Sequence, residues 1–172
     1  MKPPLPLNVP LADAEATAQL GRNLAPLLGP GDVLLLQGPI GAGKTHLARA
    51  LIQHRQHAAG KRAEDVPSPS YTLVQTYDAG DTEIWHADLF RLGHAAEADE
   101  LGLHDAFETA ICLIEWPERL GSDAPFEALL LRLDYAGDGR AATISANAPR
   151  WAPVLATLRK ALAAHAAPEN RP

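Results

Sequence analysis

The stretch Gly38-Pro39-Ile40-Gly41-Ala42-Gly43-Lys44-Thr45 constrains this chain more than any other. The apolar run Val33-Leu34-Leu35-Leu36 precedes it, and a helical pattern, Leu47, Ala48, Leu51 and Ile52, follows it. A strand, a glycine loop and a helix in that order, with the spacing G-x-x-x-x-G-K-[ST], is the sequence of a phosphate-binding loop. The spacing is physical. Gly38, Gly41 and Gly43 reach backbone dihedrals closed to other residues, so successive N–H groups can turn inward and ring a phosphate. Lys44 then neutralises terminal phosphates, and Thr45, in the first helical turn, can present its hydroxyl to Mg²⁺ at the positive end of the helix. A chance glycine-rich turn is the alternative, and the flanking strand and helix argue against it.

A strand feeding such a loop belongs to an α/β fold. We expect a P-loop NTPase-like three-layer sandwich, with a central, mostly parallel β-sheet, helices on both faces and an antiparallel strand pair near the C-terminus. The chain has 172 residues, which suits one domain over 1–172. Apolar residues make up 47% and charged residues 21%, ordinary globular usage that excludes wholesale disorder. Fifteen Lys plus Arg against 21 Asp plus Glu give a net charge of −6, which argues against a surface that grips nucleic acid by phosphate neutralisation. Any service to RNA would run through a partner. Cys112 is the single cysteine and lies in an apolar run, so a buried thiol is expected, in keeping with a reducing compartment. Prolines at 3, 4, 6 and 10 interrupt any leader-like apolar run, and no stretch approaches the ~18 apolar residues of a membrane span. A cytoplasmic protein is expected, with no membrane partner.

Around the loop, residues 4–9 read as a short edge strand, and Asp13 as the cap of a helix over 15–28 ended by Gly29-Pro30-Gly31. The loop's own helix runs from 44 to between 57 and 60. His54 and His57 share a face of it, but Gln53, Arg55 and Gln56 mark a solvated end and no metal site. A polar loop over 60–70 leads through Ser68-Pro69-Ser70-Tyr71-Thr72 into an extended segment, 73–77. That hydroxyl-rich stretch suits either a γ-phosphate sensor or a plain turn. Strands follow at 83–88 and 111–115, with broken helix at 95–108, then a strand pair at 129–133 and 142–146 joined by a turn-rich connector at 135–139. A terminal helix over 151–166 and a frayed tail at 168–172 complete the chain.

Two strands end in carboxylates. Glu83 to Asp88 delivers Asp88, and Ile111-Cys112-Leu113-Ile114-Glu115 delivers Glu115. An apolar strand ending in an acid beside a phosphate loop is the pattern that brings a carboxylate to metal or water at the mouth of the sheet. A lone strand-end acid is the bland reading, which the phosphate loop disfavours.

These motifs, with His86-Ala87-Asp88-Leu89-Phe90-Arg91 and Ile114-Glu115-Trp116-Pro117 at their distances from the loop, resemble the TsaE (YjeE) family of small bacterial ATPases. The resemblance spans about residues 10–145. It implies an ATP- and Mg-dependent ATPase that works with the proteins TsaB and TsaD in making threonylcarbamoyladenosine on tRNA and meets tRNA only indirectly; for the free chain, whose oligomeric state the sequence leaves open, we expect a monomer. Residue by residue, it implies nucleotide contacts from Gly38, Gly41, Ala42, Gly43, Lys44, Thr45, His46, Thr72 and Trp116. Thr45, Asp88 and Glu115 would hold or organise the metal, and Lys44, Asp88 and Glu115 would carry catalysis. The family usually has Asp-Leu at Pro39-Ile40, and often Thr at His46 and Ser70 and Tyr at Phe90. His46 removes any second hydroxyl contact to nucleotide, and Phe90 removes a hydroxyl hydrogen bond.

Three rivals share the loop. A small-molecule kinase needs an acceptor pocket and usually an Arg-rich segment, and none is present. A GTPase needs Asn-Lys-x-Asp to read guanine, and that motif is absent. A nucleotide-binding adaptor without turnover keeps Lys44 and Thr45 and differs only in its chemistry. No arginine is assigned as a finger; Arg91 is a candidate because it closes a motif.

Overall fold

The computed structural model describes residues 2–166. The tail expected at 168–172 lies outside them. Its elements are β1 (Leu7–Leu11), α1 (Ala14–Leu24), β2 (Val33–Gln37), α2 (Lys44–Ala58), β3 (Val74–Asp78), β4 (Glu83–Asp88), α3 (Glu97–Glu100), α4 (Leu103–Thr109), β5 (Ile111–Glu115), β6 (Leu129–Ala136), β7 (Gly139–Ala146) and α5 (Ala152–Ala166). The strands form one sheet in the order β1-β7-β6-β2-β5-β4-β3. Its centre is parallel, with β2 between β6 and β5, and β4 beyond β5.

Period-2 alternation on the central strands builds the layers. On β2, Leu34 and Leu36 join Leu20 and Leu24 of α1, Leu47 and Leu51 of α2, and Leu155 and Leu158 of α5 in one core. Val33 and Leu35 face the opposite way and join Ala98, Leu103 and Ala106 of α3 and α4 in a second core. Helices therefore cover both faces, as expected of the three-layer sandwich. Asp13 caps α1, its Oδ1 accepting from Ala16 N at 2.8 Å, a contact worth about 1 kcal/mol.

The margins hold more antiparallel structure than expected. β7 pairs antiparallel with both β6 and β1, and β3 with β4. The strand pair at the C-terminal end also runs longer than its apolar residues: Asp134 to Ala136 and Gly139 to Ala141 are ladder, and the turn contracts to Gly137-Asp138. The reason is that α3 and α4 do not extend over this part of the sheet. Arg132 on β6 and Asn8 and Pro10 on β1 are exposed, so the strands alternate polar and apolar where a fully covered strand would be apolar throughout. β1 covers residues 7–11, not 4–9, and its edge position tolerates Pro10.

The helix expected over 15–28 is α1 followed by a 3₁₀ turn at Ala25–Leu27. The C-terminal end of α2 is not uniformly solvated. Gln56 is fully buried, donating from Nε2 to Glu64 Oε1 at 2.6 Å and accepting from Glu64 N at 2.9 Å. Both halves of the amide are satisfied, which allows its burial and ties down the following loop. Among the described residues no helix is long and apolar enough to cross a membrane.

Candidate functional site

The glycine loop lies between β2 and α2, at the carboxyl ends of the parallel strands. Gly38, Gly41 and Gly43 all take positive φ. Gly38 has no alternative: with φ at 147°, an added Cβ would stand 2.3 Å from the Leu133 carbonyl oxygen. The loop is held from the β6–β7 hairpin, two residues of which no sequence signal pointed to. Tyr135 donates from its hydroxyl to Ile40 O at 2.5 Å, and Arg140 donates from Nη2 to Gly41 O at 3.2 Å. Each contact is to main chain, which leaves no residue-type signature in the loop.

Lys44 opens α2 and is buried, its Nζ donating to Gly38 O at 2.6 Å and Pro39 O at 2.9 Å. Burial holds its pKa below the ordinary lysine value, while the charges of Glu115, Asp88 and Glu118 act to raise it. The ammonium also lies 4.3 Å from the centroid of the Trp116 ring. Trp116 takes a left-handed backbone, φ 58°, a conformation costing on the order of 1–3 kcal/mol. It packs on Phe90, ring centroids 4.8 Å apart.

Parallel pairing of β4 with β5 sets Asp88 opposite Glu115, both nearly buried. Glu115 Oε1 accepts from the Thr45 hydroxyl and from His86 Nε2, each at 2.8 Å. Asp88 Oδ1 accepts from Phe90 N at 3.0 Å, and Oδ2 from the hydroxyls of Ser68 and Ser70 at 3.0 and 3.1 Å. The hydroxyl-rich stretch thus meets the site through its serines. Thr72 is exposed, accepts from Gln75 Nε2 at 3.1 Å and does not line the cavity. Arg91 also stays outside, its guanidinium 5.1 Å over the Tyr71 ring.

Lys44, Thr45, His46, Asp88, Glu115 and Trp116 line one hollow of about 370 Å³, with Ser68, Ser70 and Phe90 added to the expected set. A second hollow of about 300 Å³ adjoins it across Gly41, Gly43 and His46, and is lined also by Asp13, Thr17 and Arg140. His46 Nε2 lies 2.9 Å from Ala14 O and so ties the start of α2 to α1. The Thr45 hydroxyl and two carboxylates are hard oxygen donors of the kind that suits Mg²⁺. No group of three or more His, Cys, Asp or Glu among the described residues forms a metal cage of its own.

The model of the family "Threonylcarbamoyl adenosine biosynthesis protein TsaE" matches residues 11–142. The tRNA threonylcarbamoyladenosine biosynthesis protein TsaE of Haemophilus influenzae is 39% identical over 109 residues, 63% of this chain and 66% of that protein. The Rickettsia felis protein of the same name is 40% identical over 63% of this chain and 61% of its own length. Both matches span slightly less than two thirds of those relatives. The Bacillus subtilis protein of that name is 31% identical over 72% of this chain and 75% of its own. The crystal structure of Bacillus subtilis YdiB superposes with a TM-score of 0.72 at 28% identity, covering 94% of this chain and 96% of that one.

Proposed function

The chain belongs to the TsaE family, and from that premise we propose that it is a Mg-dependent ATPase serving tRNA threonylcarbamoyladenosine biosynthesis, its hydrolysis cycling a complex with TsaD and TsaB. One observation carries the catalytic part. The phosphate loop, the Thr45 hydroxyl and two in-register carboxylates share one hollow. In this reading the loop N–H groups and Lys44 hold the terminal phosphates, and the adjoining hollow at Asp13, Thr17 and Arg140 takes ribose and base. Thr45, Glu115 and Asp88 would hold Mg²⁺, which when bound neutralises charge on those phosphates.

Phosphoryl transfer to water needs positioning and charge stabilisation more than covalent help. Glu115 and Asp88 orient the attacking water, and Trp116 over Lys44 shields the phosphate end from bulk solvent. The net charge of −6 agrees with an RNA role exercised through partners. Phosphate release from ATP and from GTP, measured alone and with TsaB and TsaD, tests this. The expected result is ATP turnover that rises with the two partners. Nucleotide binding without turnover in any combination would leave an adaptor, and stimulation by a small acceptor would favour a kinase.

A further inference from the structure

We infer that His86 is a positioning residue for Glu115, fixing one carboxylate oxygen so that the other faces the phosphate hollow. The inference rests on the nucleotide reading above. β4 and β5 pair Asp88 with Glu115 and His86 with Leu113, so His86 lies two pairs deeper than the two acids. Strand alternation puts it on the same face as Asp88, from which an imidazole reaches the diagonal neighbour on β5. The contact is made: His86 Nε2 lies 2.8 Å from Glu115 Oε1, with His86 fully buried.

The two donors on Oε1 have different origins. Thr45 belongs to the helix of the phosphate loop, and its hydroxyl oxygen would be shared with metal. His86 belongs to the sheet and makes no such second contact. Among the described residues its Nδ1 is buried without a partner. With the proton on Nε2, that nitrogen is a bare lone pair, which costs less than a stranded N–H would. A position that only filled space would favour an aliphatic residue, as at neighbouring Ile84, Ile111 and Leu113 on the same face. A half-satisfied imidazole makes sense if its one bond controls the orientation of Glu115. Glu115 Oε2, which takes no protein donor among the described residues, is the oxygen left for metal or water.

Three substitutions separate positioning from packing. The amide nitrogen of His86→Gln sits near the place of Nε2, that of His86→Asn near the place of Nδ1, and His86→Leu keeps bulk without a donor. Each variant is measured for ATP affinity in EDTA, for the MgCl₂ dependence of binding a non-hydrolysable ATP analogue, for partner-stimulated phosphate release, and for Tm. For His86→Leu we expect magnesium dependence and turnover weakened by about 10–100-fold, the usual range for an outer partner of a metal ligand, with affinity in EDTA unchanged. His86→Gln should recover most of the loss and His86→Asn little. Wild-type behaviour of His86→Leu, or equal behaviour of the Gln and Asn variants, would overturn the inference. If His86→Leu fails to fold, the Gln and Asn pair decides. A wild type whose analogue binding ignores magnesium would instead overturn the metal reading, and this inference with it.

Discussion

Asp88 and Glu115 stand opposite each other at the ends of neighbouring strands, yet different kinds of structure hold them. Glu115 takes both its donors from regular elements, Thr45 on α2 and His86 on β4. Asp88 takes two of its three donors from Ser68 and Ser70, in an irregular segment. That segment turns into β3 through Leu73, whose φ is 66° and whose carbonyl accepts from Asp88 N at 2.9 Å. One wall of the hollow is therefore built into sheet and helix, and the other depends on the path of a loop. A change in residues 68–73 would alter the surroundings of Asp88 and leave those of Glu115 as they are.

The largest effect on binding should come from the fixed wall. Lys44→Ala removes a buried cation that no loop residue can replace, and charge-assisted hydrogen bonds of ~1.5–3 kcal/mol correspond to roughly a 10- to 150-fold loss of ATP affinity. Calorimetric titration of ATP reads this directly, and unchanged affinity would break the assignment of the loop. A smaller effect is expected at the other wall. Ser68→Ala with Ser70→Ala removes both hydroxyl donors from Asp88, each worth about 0.5–1.5 kcal/mol. Hydrogen exchange over residues 66–73 should rise while the amides of β5 keep their protection. Equal loss of protection in both places would show that the walls are one cooperative unit and remove the contrast.

The fixed wall was also the more legible in sequence. β4 and β5 have the expected bounds, 83–88 and 111–115, and the acids at 88 and 115 mark their ends; β5 shows why, since a buried parallel strand is an apolar run with an abrupt end. The loop wall was legible only as a cluster of hydroxyls. Which of Ser68, Ser70 and Thr72 turns inward is decided by the backbone path around Leu73, and no composition rule reports that. His86 stood inside a recognised motif without a role, because its reach to Glu115 depends on strand register, a property of two distant segments together. Tyr135 and Arg140 were hidden for a related reason: they lie almost a hundred positions beyond the loop and bind its carbonyls. Cys112 was read correctly from its apolar neighbours. It is fully buried, and burial pushes its thiol up to about 12.

If the two walls together hydrolyse ATP, Glu115→Ala shows it most directly when binding and turnover are measured on the same preparation with the partner proteins present. The loop glycines and Lys44 remain in this variant, so ATP affinity measured in EDTA should stay near that of the wild type, while the gain in affinity with MgCl₂ should shrink. Phosphate release should fall by about 10²-fold or more, the scale of losing a group that positions or deprotonates a reacting water. Wild-type turnover in this variant would contradict the account.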